Sequence, residues 1–500
     1  MTIYRDYSRA KIGWFFGLSG WQLALVSLSA LPVFLAIQRQ AWVSALIFLT
    51  VWTAGAVVVI VPVRGRSATG WMVATALYAI GGLAGWTRFR SHVAEGKPQN
   101  LAKADLPGVL GAVEIHDGPP TGTAQARVAI IQNHAARTWA VTATVTHPGI
   151  GMADASQRHR EGTGLSELLD LCSRTELIDE VLLMIRTVPD DGAERAQWMT
   201  RHRQDHGPQL SRAINDDLHV ALASASVRTE AFVTIVVPEA RLAKEAREAG
   251  GGLDGRARVL YLLMGEVETQ LRGGLAMTAV SWLTSPELAL ACRTGFAPAD
   301  RAGIIEALAA REHDPGVNAD VPWALAGPSG ADALIRHYSH DAWNSVSAAI
   351  KLPVKGAVMG ALAPMLTPTE PGERRSFVVS YPIMRQSVAN RQSASSEWAA
   401  DIGEALRDKA KVKQRTKARD EAEKVRGLDR KLARGNSMTE PYAVCTVTVP
   451  KTLRVAEFGR RLDASVRRAG FAPLRLDVAQ DVGFAASAVP LGAGLTRKNN

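Results

Sequence analysis

The amino-terminal part of the chain contains two long stretches without a charged side chain. One runs from Ile12 to Ile37 and has 26 residues, and the other runs from Ala41 to Val63 and has 23. A helix rises about 1.5 Å per residue, so about 20 apolar residues cross a bilayer core. The pattern predicts a transmembrane helical hairpin over residues 1–66. A buried helical pair in a soluble protein is one alternative, and a signal peptide, whose apolar region is about 7–15 residues long, is the other.

A third uncharged stretch, Ser67 to Thr87, is 21 residues long but rich in glycine and alanine. This composition favours a helix that lies on or re-enters the inner leaflet, with Trp71 and Trp86 at headgroup level and nearby arginines facing anionic lipid. A third transmembrane span is the alternative. Residues 67–105 are therefore predicted to form a juxtamembrane helix and linker.

The distribution of positive charge predicts an orientation for the hairpin. The chain has 500 residues and a net charge of +10. Arginine and lysine precede the first stretch and follow the second, whereas Arg39 alone lies between them, so both termini are expected in the cytoplasm. Cys172, Cys292 and Cys445 are far apart in sequence, as in proteins of reducing compartments. The sequence thus predicts a multi-pass inner-membrane protein with a large cytoplasmic domain.

Beyond residue 105, short β-branched runs alternate with amphipathic stretches. In the first cytoplasmic region, 106–300, the predicted strands are Arg127–Ile131, Thr138–Thr146, Val181–Val188, Ala231–Pro238 and Met277–Leu283. The predicted helices are Gly164–Thr175, Pro208–Ala223 and Arg256–Leu271. Strands separated by helices predict layered domains with helices against the sheet faces, and the fold class is α+β.

The second cytoplasmic region, 301–500, has the clearest pattern. It predicts two strand–helix–strand units, which are Ala342–Leu352, Lys355–Leu366 and Arg375–Ile383, then Tyr442–Val449, Arg454–Ala469 and Pro473–Val478. Two such units with an insertion between them predict a split ferredoxin-like α/β sandwich.

The insertion is predicted to be a projecting helical arm over residues 385–435. Between Asp401 and Arg434 it has 12 Lys or Arg, 7 Asp or Glu and few large apolar residues, which make a poor core-facing stripe. A solvated helix face is one interpretation, and a contact surface for a partner subunit, lipid or nucleic acid is the other. Because the basic residues between Asp401 and Arg434 are not interleaved with aromatic residues, we expect no direct binding of nucleic acid.

The sequence has no motif for nucleotide or small-molecule chemistry. Neither a phosphate-binding G-x-x-x-x-G-K-[ST] loop nor a G-x-G-x-x-G fingerprint occurs in it. Ser329 in GPSG does not fit a G-x-S-x-G elbow, because the second glycine comes one residue early. We therefore expect no catalytic residues, no cofactor, no small-molecule substrate and no enzymatic activity.

Two histidine clusters are candidate metal sites. His202 and His206 have the i, i+4 spacing of two ligands on one helix, with Asp205 between them and His219 further along. His337, His340 and Asp341 form the second cluster. Spacing alone is weak evidence for ligation, and a hydrated helix end explains the first cluster equally simply. No metal site is predicted.

Several carboxy-terminal segments carry a resemblance to a known family. They are the run HYSHD (337–341), RRSFVVSYPIM (374–384), the charged arm, YAVCTVTVP (442–450) and FAPLRLDVAQDVGFAASAVPLG (471–492). Together they resemble an actinobacterial membrane-protein family of integrative and conjugative elements. That family resembles a PrgI-type two-helix subunit fused to the amino-terminal domain of a type IV secretion ATPase without its motor. The basic segments Arg64–Ser67 and Trp86–Ser91 are similar to it as well.

The resemblance implies a non-catalytic inner-membrane component of a conjugation-like secretion apparatus. Its expected partners are membrane lipid, a separately encoded secretion ATPase and other membrane subunits. A looser similarity of layout to EccE of type VII secretion gives one alternative. A membrane-anchored enzyme with an unrecognised site gives another, and an anchoring protein unrelated to transport a third.

Overall fold

The structure is a computed structural model. It describes residues 26–60, 62–63, 66–97, 100–123, 125–151, 153–189, 192–202, 206–225, 227–351, 360–370, 372–385, 388, 437–439 and 441–495. The chain divides into two compact units, of which the larger contains Trp86–Met384 and Thr439–Asn500. The smaller contains Ser8–Gly85 and Arg385–Met438. Most of the predicted arm, 385–435, and the first part of the predicted hairpin lie outside the described residues.

The described part of the smaller unit is mainly helical. Its elements are α1 (Leu31–Gln38), α2 (Trp42–Ile60), the two-residue strands β1 (Pro62–Val63) and β2 (Arg66–Ser67), and α3 (Ala68–Leu83). The indole N–H of Trp52 on α2 donates to the backbone oxygen of Val26, at 3.0 Å. Many large apolar side chains of α1, α2 and α3 are exposed, Leu83 most of all.

The predicted transmembrane hairpin is wrong. Among the residues that the structure describes, no helix has both the length and the apolar character that a membrane crossing requires. The uncharged stretch 12–37 is not one continuous helix in its described part, because a turn at Ala30 separates residues 26–29 from the eight residues of α1. Helix α3 has only 16 residues. The uncharged stretches are longer than the helices that form within them, so their length led to the wrong prediction. The predicted multi-pass inner-membrane location depended on the hairpin and is therefore also wrong.

The larger unit is built on one large antiparallel sheet, so the α+β part of the predicted fold class is confirmed. Its strands are β3 (Arg88–Arg90), β4 (Val113–Thr121), β5 (Ala126–Asn133), β6 (Thr138–Thr146), β7 (Glu180–Pro189), β8 (Val227–Pro238), β9 (Ala279–Trp282), β10 (Gly330–Ala333), β11 (Tyr338–His340), β12 (Trp343–Lys351), β13 (Arg374–Pro382), β14 (Tyr442–Pro450) and β15 (Ala472–Arg475). The strand order is β3-β10-β11-β12-β14-β13-β7-β8-β6-β5-β4, with β15 paired to β12 and β9 paired to β6. Strands from both predicted cytoplasmic regions thus belong to the same sheet.

The strand order is nearly the same when it is read from either end, because the sheet consists of two similar halves. The first half has the order β4-β5-β6-β8-β7, and the second has β10-β11-β12-β14-β13. The halves meet where β7 pairs antiparallel with β13. With β9 and β15 included, four strands of each half lie in the order β9-β6-β8-β7 or β15-β12-β14-β13, which is fourth, first, third, second along the chain and is the order of a ferredoxin-like sandwich. The second half contains the strands of the two predicted strand–helix–strand units.

Helices cover both faces of the sheet. They are α4 (Ala155–Arg174), α5 (Ala193–His202), α6 (Gln209–Ala225), α7 (Glu239–Glu248), α8 (Gly252–Gly273), α9 (Ser285–Phe296), α10 (Asp300–His313), α11 (Trp323–Ala326), α12 (Ala363–Leu366), α13 (Val455–Arg468) and α14 (Gln480–Ala488). Successive strand residues point to opposite faces. On β6, Val141 packs into the core with α4 and α8, whereas Ala140 packs into the core with α9 and α14. Helices α12 and α13 form a third core against the second half.

The two strands at the ends of the main strand order, β3 and β4, are poor templates for a further strand. Strand β3 has three residues, two of which are arginines. Strand β4 contains Pro119 and Pro120, which lack an N–H, and its register with β5 shifts between Asp117 and Pro120. Charged residues, proline and bulges are the usual protection of a sheet edge.

Candidate functional site

A buried arginine on the central strand β7 holds two helices against the sheet. Arg186 is 1% exposed, and its guanidinium donates to the backbone oxygens of Ala291 on α9, at 2.8 Å, and Ala488 on α14, at 3.0 Å. Ala488 is the last residue of α14, and carbonyl groups at a helix carboxy terminus carry partial negative charge, so the cation interacts favourably with that helix end. Arg186 therefore fixes α9 and α14, one helix from each half, to the same point of the sheet.

Arg186 belongs to a network of three arginines and two glutamates. Glu230 on β8 contacts Arg186 at 2.6 Å, Arg301 at 3.6 Å and Arg228 at 3.7 Å. Burial alone would raise the pKa of Glu230, but the arginines, Arg186 above all, outweigh it and hold that pKa below its usual value. Arg301 also pairs with Glu194 on α5, at 2.7 Å. Because Arg301 lies in the first turn of α10, the network anchors that helix to the sheet.

A second ion cluster fixes the corner between α9 and α10. Arg293 near the end of α9 pairs with Asp300, at 2.6 Å, and with Asp341, at 3.1 Å. It also donates to the backbone oxygen of Gly327 at 2.8 Å. Asp341 in turn accepts from the backbone N–H of Ser329 at 2.7 Å. The start of α10 and the loop before β10 are thereby held in fixed positions.

An open groove of about 540 Å³ lies between α10 and the chain that follows it. We name it the α10 groove, and its apolar lining consists of Ile304, Ala307, Ala319, Val321, Ala324 and Leu325. Its polar lining includes Arg293, Asp300, Asp320 and Ser329. Ligand pockets are commonly about 300–1,000 Å³ and mostly apolar with a few polar groups, and the α10 groove fits that description.

The histidine cluster near β11 does not form a site. His340 is fully buried, bonds the hydroxyl of Ser345 through Nε2 at 2.8 Å, and packs against the ring of Phe484, with 4.5 Å between the ring centroids. Burial lowers the pKa of His340 well below its usual value, so its imidazole is neutral. Asp341 points to Arg293 instead, and His337 is only half-buried. His340 therefore belongs to the core, whereas Asp341 belongs to the ion cluster between α9 and α10.

The His202 pair is also not brought together on one helix. Helix α5 ends at His202, and His206 lies in a turn beyond it. His202 stacks on Trp198, with 4.5 Å between the ring centroids. Asp205 and the side chain of His219 lie outside the described part of the chain. Within that part, no group of three His, Cys, Asp or Glu residues is arranged to hold a metal ion.

The three cysteines are buried and free. Burial raises the pKa of Cys172 and of Cys445 to about 12 and raises the pKa of Cys292 further. The thiolate is the nucleophilic form of cysteine, so these thiols are inert at neutral pH. They act as small apolar side chains of the three cores.

Helix α6 presents an exposed apolar stripe. Leu210, Ile214 and Leu218 are spaced four residues apart on one face and are 72%, 55% and 50% exposed. Residues four apart on a helix are neighbours on its surface. The sequence pattern predicted an amphipathic helix here, but it could not show that the apolar face is exposed, because periodicity does not say what covers a face. The α10 groove had no sequence signal, since its walls come together only in the folded chain.

Comparisons with known proteins leave the family of this chain open. A scan against protein-family models finds no matching model. A search of curated proteins finds no similar sequence.

Proposed function

We propose that this chain is a non-catalytic structural component of a conjugation-like, type IV secretion apparatus. In this proposal it binds a separately encoded ATPase through the apolar stripe of α6, formed by Leu210, Ile214 and Leu218. The sheet and its two ion networks provide the fixed scaffold from which α6 is presented.

The exposed stripe is the observation that carries the proposal. An amphipathic helix binds a hydrophobic groove of a partner through apolar side chains at spacings of three and four residues. Three large apolar side chains on one face of α6 supply such anchors, and all three are at least half exposed. The likeness of segments 337–341, 374–384 and 471–492 to the conjugative-element family supports the choice of partner.

The energy for transport would come from the partner. The sequence contains no phosphate-binding loop, and the lysine of such a loop is the group that meets the β and γ phosphates of a nucleotide. A component of this kind therefore needs a second chain with an intact loop. We expect that chain to be encoded by the same genetic element.

Copurification of the tagged full-length chain with that ATPase tests the proposal. A charge placed in the stripe by Ile214→Lys should reduce the recovered ATPase by about tenfold or more, since loss of a central apolar anchor costs about 2 kcal/mol or more. Asn215→Lys is the matched control, because it introduces the same side chain one residue away, off the stripe. It should leave the recovery unchanged.

Two results would contradict the proposal. One is that the wild-type chain recovers none of the ATPase, and the other is that Ile214→Lys and Asn215→Lys recover as much of it as the wild type. Thermal melting of both variants shows whether α6 and the sheet remain folded.

A further inference from the structure

The α10 groove combines an apolar lining with an acidic rim. Asp300 stands at one position of the rim and Asp320 at another, and their side chains are 42% and 50% exposed. The apolar side chains of Ile304, Val321 and Leu325 line the same groove. A ligand that fills the groove therefore contacts both apolar side chains and exposed carboxylates.

The charged groups around the groove do not balance. Arg293 pairs with two carboxylates, Asp300 and Asp341, and Asp320 pairs with Arg311 at 2.9 Å. Three carboxylates thus face two guanidinium groups. Residues 300–320 contain five acidic residues and two arginines, although the whole chain has a net charge of +10. Among the residues that line the groove, the two carboxylates of Asp300 and Asp320 outnumber the one guanidinium, that of Arg293, in a protein that is basic overall.

The walls of the groove are held before any ligand arrives. Arg301 anchors the first turn of α10 through Glu194, and Arg293 fixes Gly327 opposite it. A binding site whose walls are already ordered loses less conformational entropy on binding. The open side of the groove suits an extended segment better than an enclosed small molecule.

We propose that the α10 groove binds an apolar peptide segment flanked by lysine or arginine, presented by a partner protein. The apolar part lies against Ile304, Val321 and Leu325, and the cationic flanks lie beside Asp300 and Asp320. This site is distinct from the stripe of α6 and does not depend on the function proposed for it.

Gly303 on α10 gives a direct way to close the groove. It lines the groove, and a Cβ built on it meets nothing within 4 Å. Gly303→Trp therefore places an indole in the groove without a clash at its point of attachment. Gly265 on α8 also has nothing within 4 Å of an added Cβ and is exposed, so Gly265→Trp is the matched control.

Two fluorescein-labelled peptides with the same leucine–alanine core test the proposal by fluorescence anisotropy against the full-length chain. One has lysines at both ends and the other has glutamates. The lysine peptide should bind about tenfold more tightly than the glutamate peptide, a difference of about 1.4 kcal/mol. Gly303→Trp should weaken the binding of the lysine peptide by about tenfold or more, because the indole would occupy the space that the peptide needs. Gly265→Trp and Ile214→Lys should not change it.

A charge reversal on the rim provides a second test that does not depend on how Gly303→Trp folds. Asp320→Lys should shift the preference toward the glutamate peptide. Its pair with Arg311 is about half exposed, and exposed pairs contribute only about 0–1 kcal/mol, so the fold should tolerate the change. Equal binding of both peptides, no binding of either, or binding that Gly303→Trp leaves intact would overturn the proposal. Loss of ATPase recovery by Ile214→Lys tests the proposed function separately.

Discussion

Arginine side chains occupy the deepest positions of this fold. Arg186, Arg374 and Arg375 are the largest fully buried side chains in the described part of the chain. Arg375 pairs with the buried Glu373 at 2.7 Å, and Arg374 donates to the backbone oxygen of Thr294 at 2.8 Å. Because neighbours on a strand point to opposite faces, these two arginines enter different cores. Burying a charge costs free energy unless the charge is paired or hydrogen-bonded. Glu373 supplies a carboxylate to Arg375 and Thr294 a backbone oxygen to Arg374, although Arg374 Nε and Arg375 Nη2 have no hydrogen-bond partner among the described residues.

The pH dependence of stability should report on Glu230. Its folded-state pKa is lowered, so its stabilising effect is complete above the pKa of an unfolded glutamate, about 4.3, and is lost as the pH falls through the lower folded-state value. Glu230→Gln should lower the free energy of unfolding by about 3 kcal/mol at pH 7, since it leaves Arg186 buried without its carboxylate. It should also flatten the fall in stability below about pH 4.3. Urea unfolding followed by circular dichroism at a series of pH values measures both effects.

The exposed Glu248 on α7 offers the control for this experiment. Glu248→Gln should change the free energy of unfolding by no more than about 0.5 kcal/mol. A Glu230→Gln variant with the stability and acid sensitivity of the wild type would show that the arginine network does not hold the sheet and α10 together.

At the scale of elements, the segment after α14 closes the core between the sheet and α9. Thr142 on β6 donates to the backbone oxygen of Pro490 at 3.0 Å, and the backbone N–H of Leu495 donates to the hydroxyl of Tyr442 at 2.9 Å. Leu491 between them is 1% exposed. This short segment therefore crosses strands of both halves and packs as part of the core.

Leu491→Ala should destabilise the larger unit. Loss of a buried leucine side chain leaves a cavity and costs about 2–5 kcal/mol. Urea unfolding of the full-length chain measures the change, and Leu262→Ala, which truncates an exposed leucine on α8, is the control. If both variants unfold at the wild-type urea concentration, the segment is not part of the core as the contacts indicate.

The elements differ in how far the sequence reveals them. Strands β6, β8 and β14 are long runs rich in β-branched residues, and the pattern predicts all three. It also predicts β12, although only Val346 and Ile350 of that strand are β-branched. Strands β10 (GADA) and β11 (YSH) are short and lack such a run, so their pairing depends on neighbours that one sequence does not identify. The sequence also places Arg374 and Arg375 at a strand start, where charge is usually exposed, whereas the folded chain buries both. The sequence gives no signal for the α10 groove, because its lining residues come together only when the chain folds.

At the scale of the whole molecule, the two halves share chemistry as well as strand order. Thr142 on β6 and Thr234 on β8 bond through their hydroxyls at 2.9 Å, and Ser347 on β12 and Thr446 on β14 do the same at 2.7 Å. The four strands are the first and third of their respective halves. Buried hydroxyl pairs at matching places support an internal repeat that the sequence does not show by identity.

Hydrogen exchange should be slowest at the junction of the halves. Strands β7, β8, β13 and β14 each have a partner on both sides, whereas β3 and β4 form the two margins of the sheet. Exchange of central strands requires the largest opening, so their amides should be the last to exchange in a mass-spectrometry time course. Equal exchange rates in β4 and in β7 would contradict this prediction, because they would mean that the whole sheet opens as one unit.

The protection of those margins has a consequence for how copies of the chain can coexist. The arginines of β3 and the prolines of β4 leave little room for backbone pairing with another molecule, and such pairing is the first step toward strand exchange and fibre growth. At these two margins, copies of the chain can therefore lie close together without joining their sheets. Contacts between neighbouring copies would then be made by side chains on the helices, and such contacts can form and break independently of one another.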